Sequence, residues 1–258
     1  MNLIIATPFY EGHAFTNYIQ SLLLTTRELA NRNINWDWMR IEGDAYVDRA
    51  KNAIVAMFLE NKDATDLFLI DSDMGWDVAG FFRVLDAKED IVGTTYPMKG
   101  GGNSNFNAAI HVNNPKDRIP EVNENGLISA EWVPGGFTRF KRSALVKMTM
   151  WYREEWYLNE DSGHKGKTVA LFECPRHNNQ RFGEDVEFCR KWRLMGGKLW
   201  LEPNVSFTHR GAAEWVGNYH EFLCNRKSRK SIESRLDNTL NRGHDDSTPV
   251  DPILVEAA

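Results

Sequence analysis

Cysteine is scarce in this chain. Only Cys174, Cys189 and Cys224 are present, an odd number, and none stands at a Cys-x-x-Cys or Cys-x-His spacing. That argues against a disulfide framework and a structural zinc site, and for reduced thiols in a cytoplasmic setting. Long apolar runs are also missing: no stretch approaches the ~20 residues that cross a bilayer. The opening "MNLIIATPFYEG" lacks the charged start and long apolar stretch of a signal peptide and reads as a first strand. Nor is there a surplus of positive charge. Lys and Arg number 31 against 36 Asp and Glu, a formal net charge of −5, so nothing draws the whole chain to nucleic acid or anionic membrane. What remains is a 258-residue chain, 42% hydrophobic and 26% charged, ordinary for a globular protein and long enough to bury a sizeable core.

The first hundred residues alternate. "LIIAT" is a short apolar run closed by Pro8, and a helix is predicted over 16–31. A second strand reads over 34–43 and a helix over 44–61, where Ala, Val, Met and Leu recur at helical spacing. "DLFLI" at 66–70 is a third strand, followed by a helix over 76–88 and a strand over 90–97. This β-α alternation predicts a parallel sheet covered by helices. It then breaks at the Gly- and Asn-rich stretch 98–107. Beyond it, "AAIHV" and "GLISAEWVPGG" read as strands, 141–156 and 184–197 as helices, and "KLWLEPNVSFTHRG" as one or two final strands. The polar stretch 157–182 reads mostly as loop. From about residue 224 the chain turns basic ("NRKSRKSIESR"), predicting a helix and a polar tail.

Four constellations bear on chemistry. The apolar strand 66–70 stops at Asp71, Ser72 and Asp73. Ligands of open α/β sheets bind beyond the carboxyl ends of strands. On extended backbone, residues two apart point the same way, so two carboxylates would converge and repel unless a divalent cation sat between them. Oxygen ligands suit Mg²⁺ or Mn²⁺. The plainer alternative makes Asp73 the N-cap of the next helix. Second, Glu184 and Asp185 follow Gly183 at a helix start, where acidic residues are also ordinary capping chemistry. Third, His209 follows the strand residues "NVSF"; imidazole is a common metal ligand, though a lone histidine at a strand end is more often structural. Fourth, "WVPGGFTRFKRSAL" pairs Gly135 with Gly136, which permits close backbone approach or merely a turn. The cations after the pair would neutralise phosphate or cap a helix.

In this order the motifs "DRAKN", "DSD", "PGGF..FKRSAL", "GEDVEFCRKW" and "THRG" resemble the GT-A glycosyltransferases, near family 2 and its viral and bacterial relatives. The resemblance covers roughly residues 1–215. It implies an α/β GT-A fold: a Rossmann-like, mostly parallel sheet with helices on both faces, and a mixed sheet in the acceptor half. It divides the chain into a glycosyltransferase domain over 1–223, with a nucleotide-sugar-binding half (1–100) and an acceptor half (101–223), and a C-terminal segment over 224–258. By this likeness Thr7, Pro8 and Tyr10 lie along the nucleobase and ribose. Relatives carry an Arg-Asn pair before the D-x-D; here it is Lys51-Asn52, with Arg49 two residues earlier, which leaves open the cation that faces the donor. Asp73 is the expected metal ligand, Asp71 contacts ribose or a metal-bound water, and His209 matches the late metal ligand. Asp185 is the expected base, Glu184 orients the acceptor, and Gly135 and Gly136 approach the sugar. The implied activity is metal-dependent (Mn²⁺ or Mg²⁺), inverting transfer from a nucleotide-sugar, a UDP-sugar first, to a glycan, lipid-linked sugar, protein or hydroxymethylated DNA base. Two other readings are a sugar-phosphate nucleotidyltransferase, whose Gly-rich phosphate loop "ATPFYEGHAF" lacks, and a non-catalytic nucleotide-sugar-binding module.

Overall fold

The computed structural model describes residues 1–100, 105–112, 119–160 and 163–225. The predicted basic helix and tail lie outside the described residues from 226 onward. Contacts divide the chain into two units, Met1–His220 and Glu221–Ala258; in the second, 221–225 are helical.

The elements of the first unit run β1 (Asn2–Phe9), α1 (Thr16–Asn31), β2 (Asn35–Glu42), α2 (Val47–Glu60), β3 (Asp66–Ile70), β4 (Met74–Trp76), α3 (Val78–Leu85) and β5 (Ile91–Gly93). They continue with β6 (Ala109–Ile110), β7 (Ile128–Trp132), β8 (Phe137–Lys141), α4 (Arg142–Trp151), β9 (Trp156–Asn159), β10 (Gly166–Val169), β11 (Arg176–His177) and β12 (Gln180–Arg181). Last come α5 (Glu184–Leu194), β13 (Leu199–Leu201), β14 (Ser206–Arg210) and β15 (Glu214–Asn218).

The central sheet has eight strands in the order β2-β1-β3-β8-β5-β13-β7-β6. β2, β1 and β3 are mutually parallel, as are β5 and β13, while β8 lies antiparallel between β3 and β5. β7 is antiparallel to both its neighbours. Six strands therefore point one way, and only β7 and β8 oppose them. This is the α/β class expected: a mostly parallel sheet, mixed in its second half.

Alternation along the strands places helices on both faces. Leu3 and Ile5 of β1 and Phe68 of β3 join a core with Tyr18 and Leu29 of α1 and Phe81 of α3. There Phe68 stacks on Phe81 at 4.4 Å, and Phe137 of β8 meets Phe68 edge-on at 4.7 Å. Phe140, an odd number of residues further on, faces the opposite side and meets Phe188 of α5 at 5.1 Å.

One reading needs correction and one an addition. β1 does not close at Pro8 but runs through it to Phe9. Pairing to β3 ends at Ala6, so beyond that point β1 bonds only to β2, and a residue without an N–H is tolerated there. The described residues of 157–182 lie mostly outside strands, as read, but β9 pairs with β10 and β11 with β12, two hairpins whose strands are too short to show an alternating pattern. Among the described residues, no helix is long and apolar enough to cross a membrane.

Candidate functional site

The site lies at the carboxyl end of β3. Met74 N–H bonds back to the Asp71 carbonyl at 3.2 Å, so residues 71–74 form a turn. Extended geometry is lost there, and Asp71 and Asp73 do not share a direction; they face different partners. Nor is Asp73 a helix cap. That role falls to Asp77, whose carboxylate accepts from Gly80 N at 2.6 Å. Ser72 serves through its carbonyl, which accepts from Phe15 N at 3.3 Å.

Asp73 meets His209 through the second sheet, of order β15-β14-β4. β4 follows Asp73 directly, and its register sets His209 opposite Met74. His209 Nδ1–H donates to the Pro97 carbonyl at 2.8 Å, leaving Nε2 3.6 Å from Asp73 Oδ2. The Lys99 ammonium contacts that same oxygen. Burial pushes the Asp73 carboxyl up, but His209 and Lys99 outweigh it and hold it below the usual range.

This pair suits a divalent cation in two respects. A backbone carbonyl pins the far nitrogen of the imidazole, the usual arrangement around a ligating histidine. A 3.6 Å gap also matches two ligands each ~2.1 Å from one ion. Among the described residues, no three His, Cys, Asp or Glu side chains converge to hold a metal, so Asp71 does not complete the set. Mg²⁺ and Mn²⁺ at phosphate sites commonly take one or two protein ligands, with substrate oxygens and water supplying the rest. Asp73 and His209 fit that pattern.

The second half of the site centres on Lys51 of α2, 2% exposed. Its ammonium pairs with Glu184 at 2.8 Å and lies in the field of Asp71 and Asp185. Burial alone would lower the Lys51 pKa; the three carboxylates outweigh it and raise it. Glu184 is correspondingly held below its usual value by Lys51, against burial. Asp185 moves the other way: burial first, then the Glu184 charge, push it up. Its Oδ1 accepts from Val186 N at 2.8 Å and its Oδ2 from Gly135 N at 3.2 Å, which aims the carboxylate back over the start of α5. Asp71 is raised as well, by burial and by the other carboxylates, and its Oδ1 is buried without a hydrogen-bond partner among the described residues.

The glycine pair belongs here because β8 continues antiparallel past Ile70, and Asp71 N donates to the Gly136 carbonyl at 3.0 Å. A Cβ on Gly135 would stand 2.7 Å from Lys51 Nζ; one on Gly136 would stand 2.4 Å from the Tyr96 hydroxyl and 2.7 Å from Asp71 Oδ2. The glycines thus let Lys51, Asp71 and Tyr96 close around β8. The cations that follow are structural. Arg139 donates to carbonyls of Ala87 and Glu89, Lys141 to that of Lys88, and Arg142 to those of Leu59 and Asn61 at the end of α2.

Other candidates lie apart from this cluster. The Thr7 hydroxyl is buried against Tyr18 Oη at 2.6 Å, Pro8 is half-buried, and Tyr10 is exposed. Arg49 forks onto Asp44, at 2.8 Å from Nη2, so Lys51 is the cation within the carboxylate cluster. Asn52 is buried and bonded at 2.8–2.9 Å to Phe172 O, Leu171 N and Phe172 N, tying the end of β10 to α2. Asn52→Ala would strand these three backbone groups, at a cost of about 3 kcal/mol or more. Urea unfolding, with faster hydrogen exchange at the Leu171 and Phe172 amides, checks this; unchanged exchange there would refute it.

Tyr96 and Lys99 were not singled out in the sequence. Gly136 N donates to Tyr96 Oη at 3.2 Å, and the Tyr96 ring stands edge-on to His209 at 5.1 Å, between the two halves of the site. The available signal was position, just past the carboxyl end of β5.

No known family model matches the sequence, and no curated protein shows significant similarity to it. In structure the chain is similar to A197 from STIV, at 16% identity over 82% of this chain and 86% of that one, TM-score 0.50. It is also similar to the catalytic domain of Drosophila beta1,4-galactosyltransferase 7 in complex with xylobiose (14% identity, 78% of this chain, 64% of that one, TM-score 0.41). A third similar structure is a glycosyltransferase involved in glycosylation of the major capsid of PBCV-1 (11% identity, 60% and 68%, TM-score 0.30). Likeness at such identity concerns the fold alone, a mixed α/β chain built on a large, mostly parallel sheet.

Proposed function

We propose that the chain is a metal-dependent, inverting glycosyltransferase that moves a sugar from a nucleotide-sugar to an acceptor hydroxyl. The observation that carries this reading is the pairing of two polar centres at one strand end. Asp73 with His209 is fit for a cation and a diphosphate; Asp185 and Glu184, gathered around Lys51, are fit for proton transfer. Tyr96 lies between them.

Asp185 accepts the proton of the acceptor hydroxyl as its oxygen bonds to the anomeric carbon. The bond from that carbon to the diphosphate breaks, and the electron pair leaves with the diphosphate. One unused lone pair on each Asp185 oxygen remains after the two backbone bonds, enough to receive that proton. Glu184, held ionised by Lys51, keeps Asp185's pKa raised and so keeps it basic enough to act. Asp73 and His209 would hold Mn²⁺ or Mg²⁺, whose charge offsets that growing on the leaving diphosphate. Lys99, on the exposed side of Asp73, is placed to add a second positive charge.

Thermal unfolding with UDP-, GDP-, CMP- and dTDP-sugars, each with and without Mn²⁺, tests the reading. Ligand that binds only the folded state raises the melting temperature. One nucleotide class should stabilise the protein, a UDP-sugar first, and the effect should vanish with EDTA and in Asp73→Asn. Absence of any shift across the panel would remove the donor site and with it the proposal.

A further inference from the structure

The hairpin ahead of the Glu184–Asp185 pair carries charge in an unfavourable arrangement. β11 and β12 pair with Arg176 directly opposite Arg181 and His177 opposite Gln180. Asn178 (φ 50°) and Asn179 (φ 65°) both adopt left-handed backbone, the two-residue connection that fits strand twist. Phe182 N bonds to the Pro175 carbonyl at 3.1 Å and closes the ladder below. In this register the two arginines share one face of the hairpin. The other face is tied to α5: the His177 ring lies 6.0 Å from Phe182, and its Nε2 lies 3.8 Å from Glu187 Oε2.

Like charges directly opposite each other destabilise an antiparallel pair. Among the described residues neither guanidinium has a carboxylate partner, whereas Arg49, Arg83, Arg190 and Arg210 each do. The polar neighbour of Arg181 is the Cys174 thiol. Both arginines are exposed, and Arg181 stands three residues ahead of Glu184.

We infer that Arg176 and Arg181 form a clamp for a phosphate group carried by the acceptor. Two guanidinium groups on one face match phosphate oxygens in paired hydrogen bonds better than any other side chains do. The hairpin flanks the start of α5, where an acceptor hydroxyl must reach Asp185, so the bound phosphate is on the acceptor. The donor's diphosphate belongs at Asp73, His209 and Lys99. The assignment to the acceptor rests on the proposed transfer reaction; the binding of phosphate does not.

Calorimetric titration with inorganic phosphate and with sn-glycerol 3-phosphate tests the clamp, without donor or metal. The parent protein should bind both saturably. Arg176→Gln/Arg181→Gln should bind at least tenfold more weakly, and Arg153→Gln, which removes an exposed arginine outside the site, within twofold of the parent. Equal binding by the double variant, equal loss in Arg153→Gln, or no saturable binding by the parent would each overturn the inference. Dimethyl phosphate separates the sources: if it binds better than glycerol phosphate the acceptor's phosphate is a bridging diester, and if worse a terminal group; either supports the clamp. In phosphate-free buffer the double variant should melt no lower than the parent, since repulsion has been removed. A lower melting temperature would refute the like-charge argument. Phosphate binding through the arginines without sugar transfer would sink the reaction and keep the clamp.

Discussion

Asp185→Asn is expected to lower the rate of sugar transfer by about 10²–10⁴-fold, the usual worth of a positioned general base. On the proposed reading the donor binds at Asp73 and His209, so donor-induced stabilisation should survive in the variant. The pH profile gives an independent sign. Burial and the Glu184 charge raise the Asp185 pKa above the ordinary carboxylate value of 3.8. A base works only when deprotonated, so kcat/KM should climb with pH along a limb displaced upward from that value. The limb should be missing from the residual activity of Asp185→Asn. The substitution keeps an acceptor oxygen for one of the two backbone N–H groups and sets an NH₂ against the other, a loss of about one hydrogen bond, and a melting curve checks that the variant folds. Activity within tenfold of the parent would reassign the base; loss confined to Asp71→Asn would point to the carboxylate whose Oδ1 is buried without a partner among the described residues.

Lys51→Met should cost about 3–5 kcal/mol at neutral pH, because removing one side of a buried ion pair leaves the other side uncompensated. Here Glu184, Asp185 and Asp71 all lose their common counter-ion. The loss should depend on pH. In the parent, Lys51 holds Glu184 below its ordinary 4.5. A depressed carboxylate pKa contributes stability that is present above the unfolded value and lost as pH falls through the folded one. Without Lys51 that contribution disappears, and burial raises the Glu184 pKa instead. The variant then gains stability on acidification because its folded state binds protons more tightly than the unfolded chain does. Urea unfolding at pH 7 and pH 5 should therefore show the gap between parent and variant narrowing toward pH 5. A gap independent of pH would mean that packing, not charge, is what Lys51 supplies.

Local pattern made much of the first hundred residues legible. Helix α1 was readable over its whole length, since apolar residues at helical spacing mark an amphipathic segment without reference to anything distant. The "DLFLI" run likewise implied a buried strand whose end faces a ligand. Where the reading failed or stayed incomplete, backbone context was decisive: the turn at 71–74 separated Asp71 from Asp73, and the 157–182 hairpins were too short to carry a period. The fates of the cations were not legible either. Arg139, Lys141 and Arg142 satisfy backbone carbonyls, which leave no trace in side-chain sequence.

The sequence by itself determined the order of elements, the acidic strand end and the acidic start of α5, all of which depend on residues near one another along the chain. Only the tertiary structure decided which of these meet. Insertion of β8 between β3 and β5 carries Gly136 to Asp71, pairing of β14 with β4 carries His209 to Asp73, and α2 delivers Lys51 to Glu184 across 133 residues. Strand pairing and buried ion pairs select partners by shape and charge in space, and chain distance does not encode that choice.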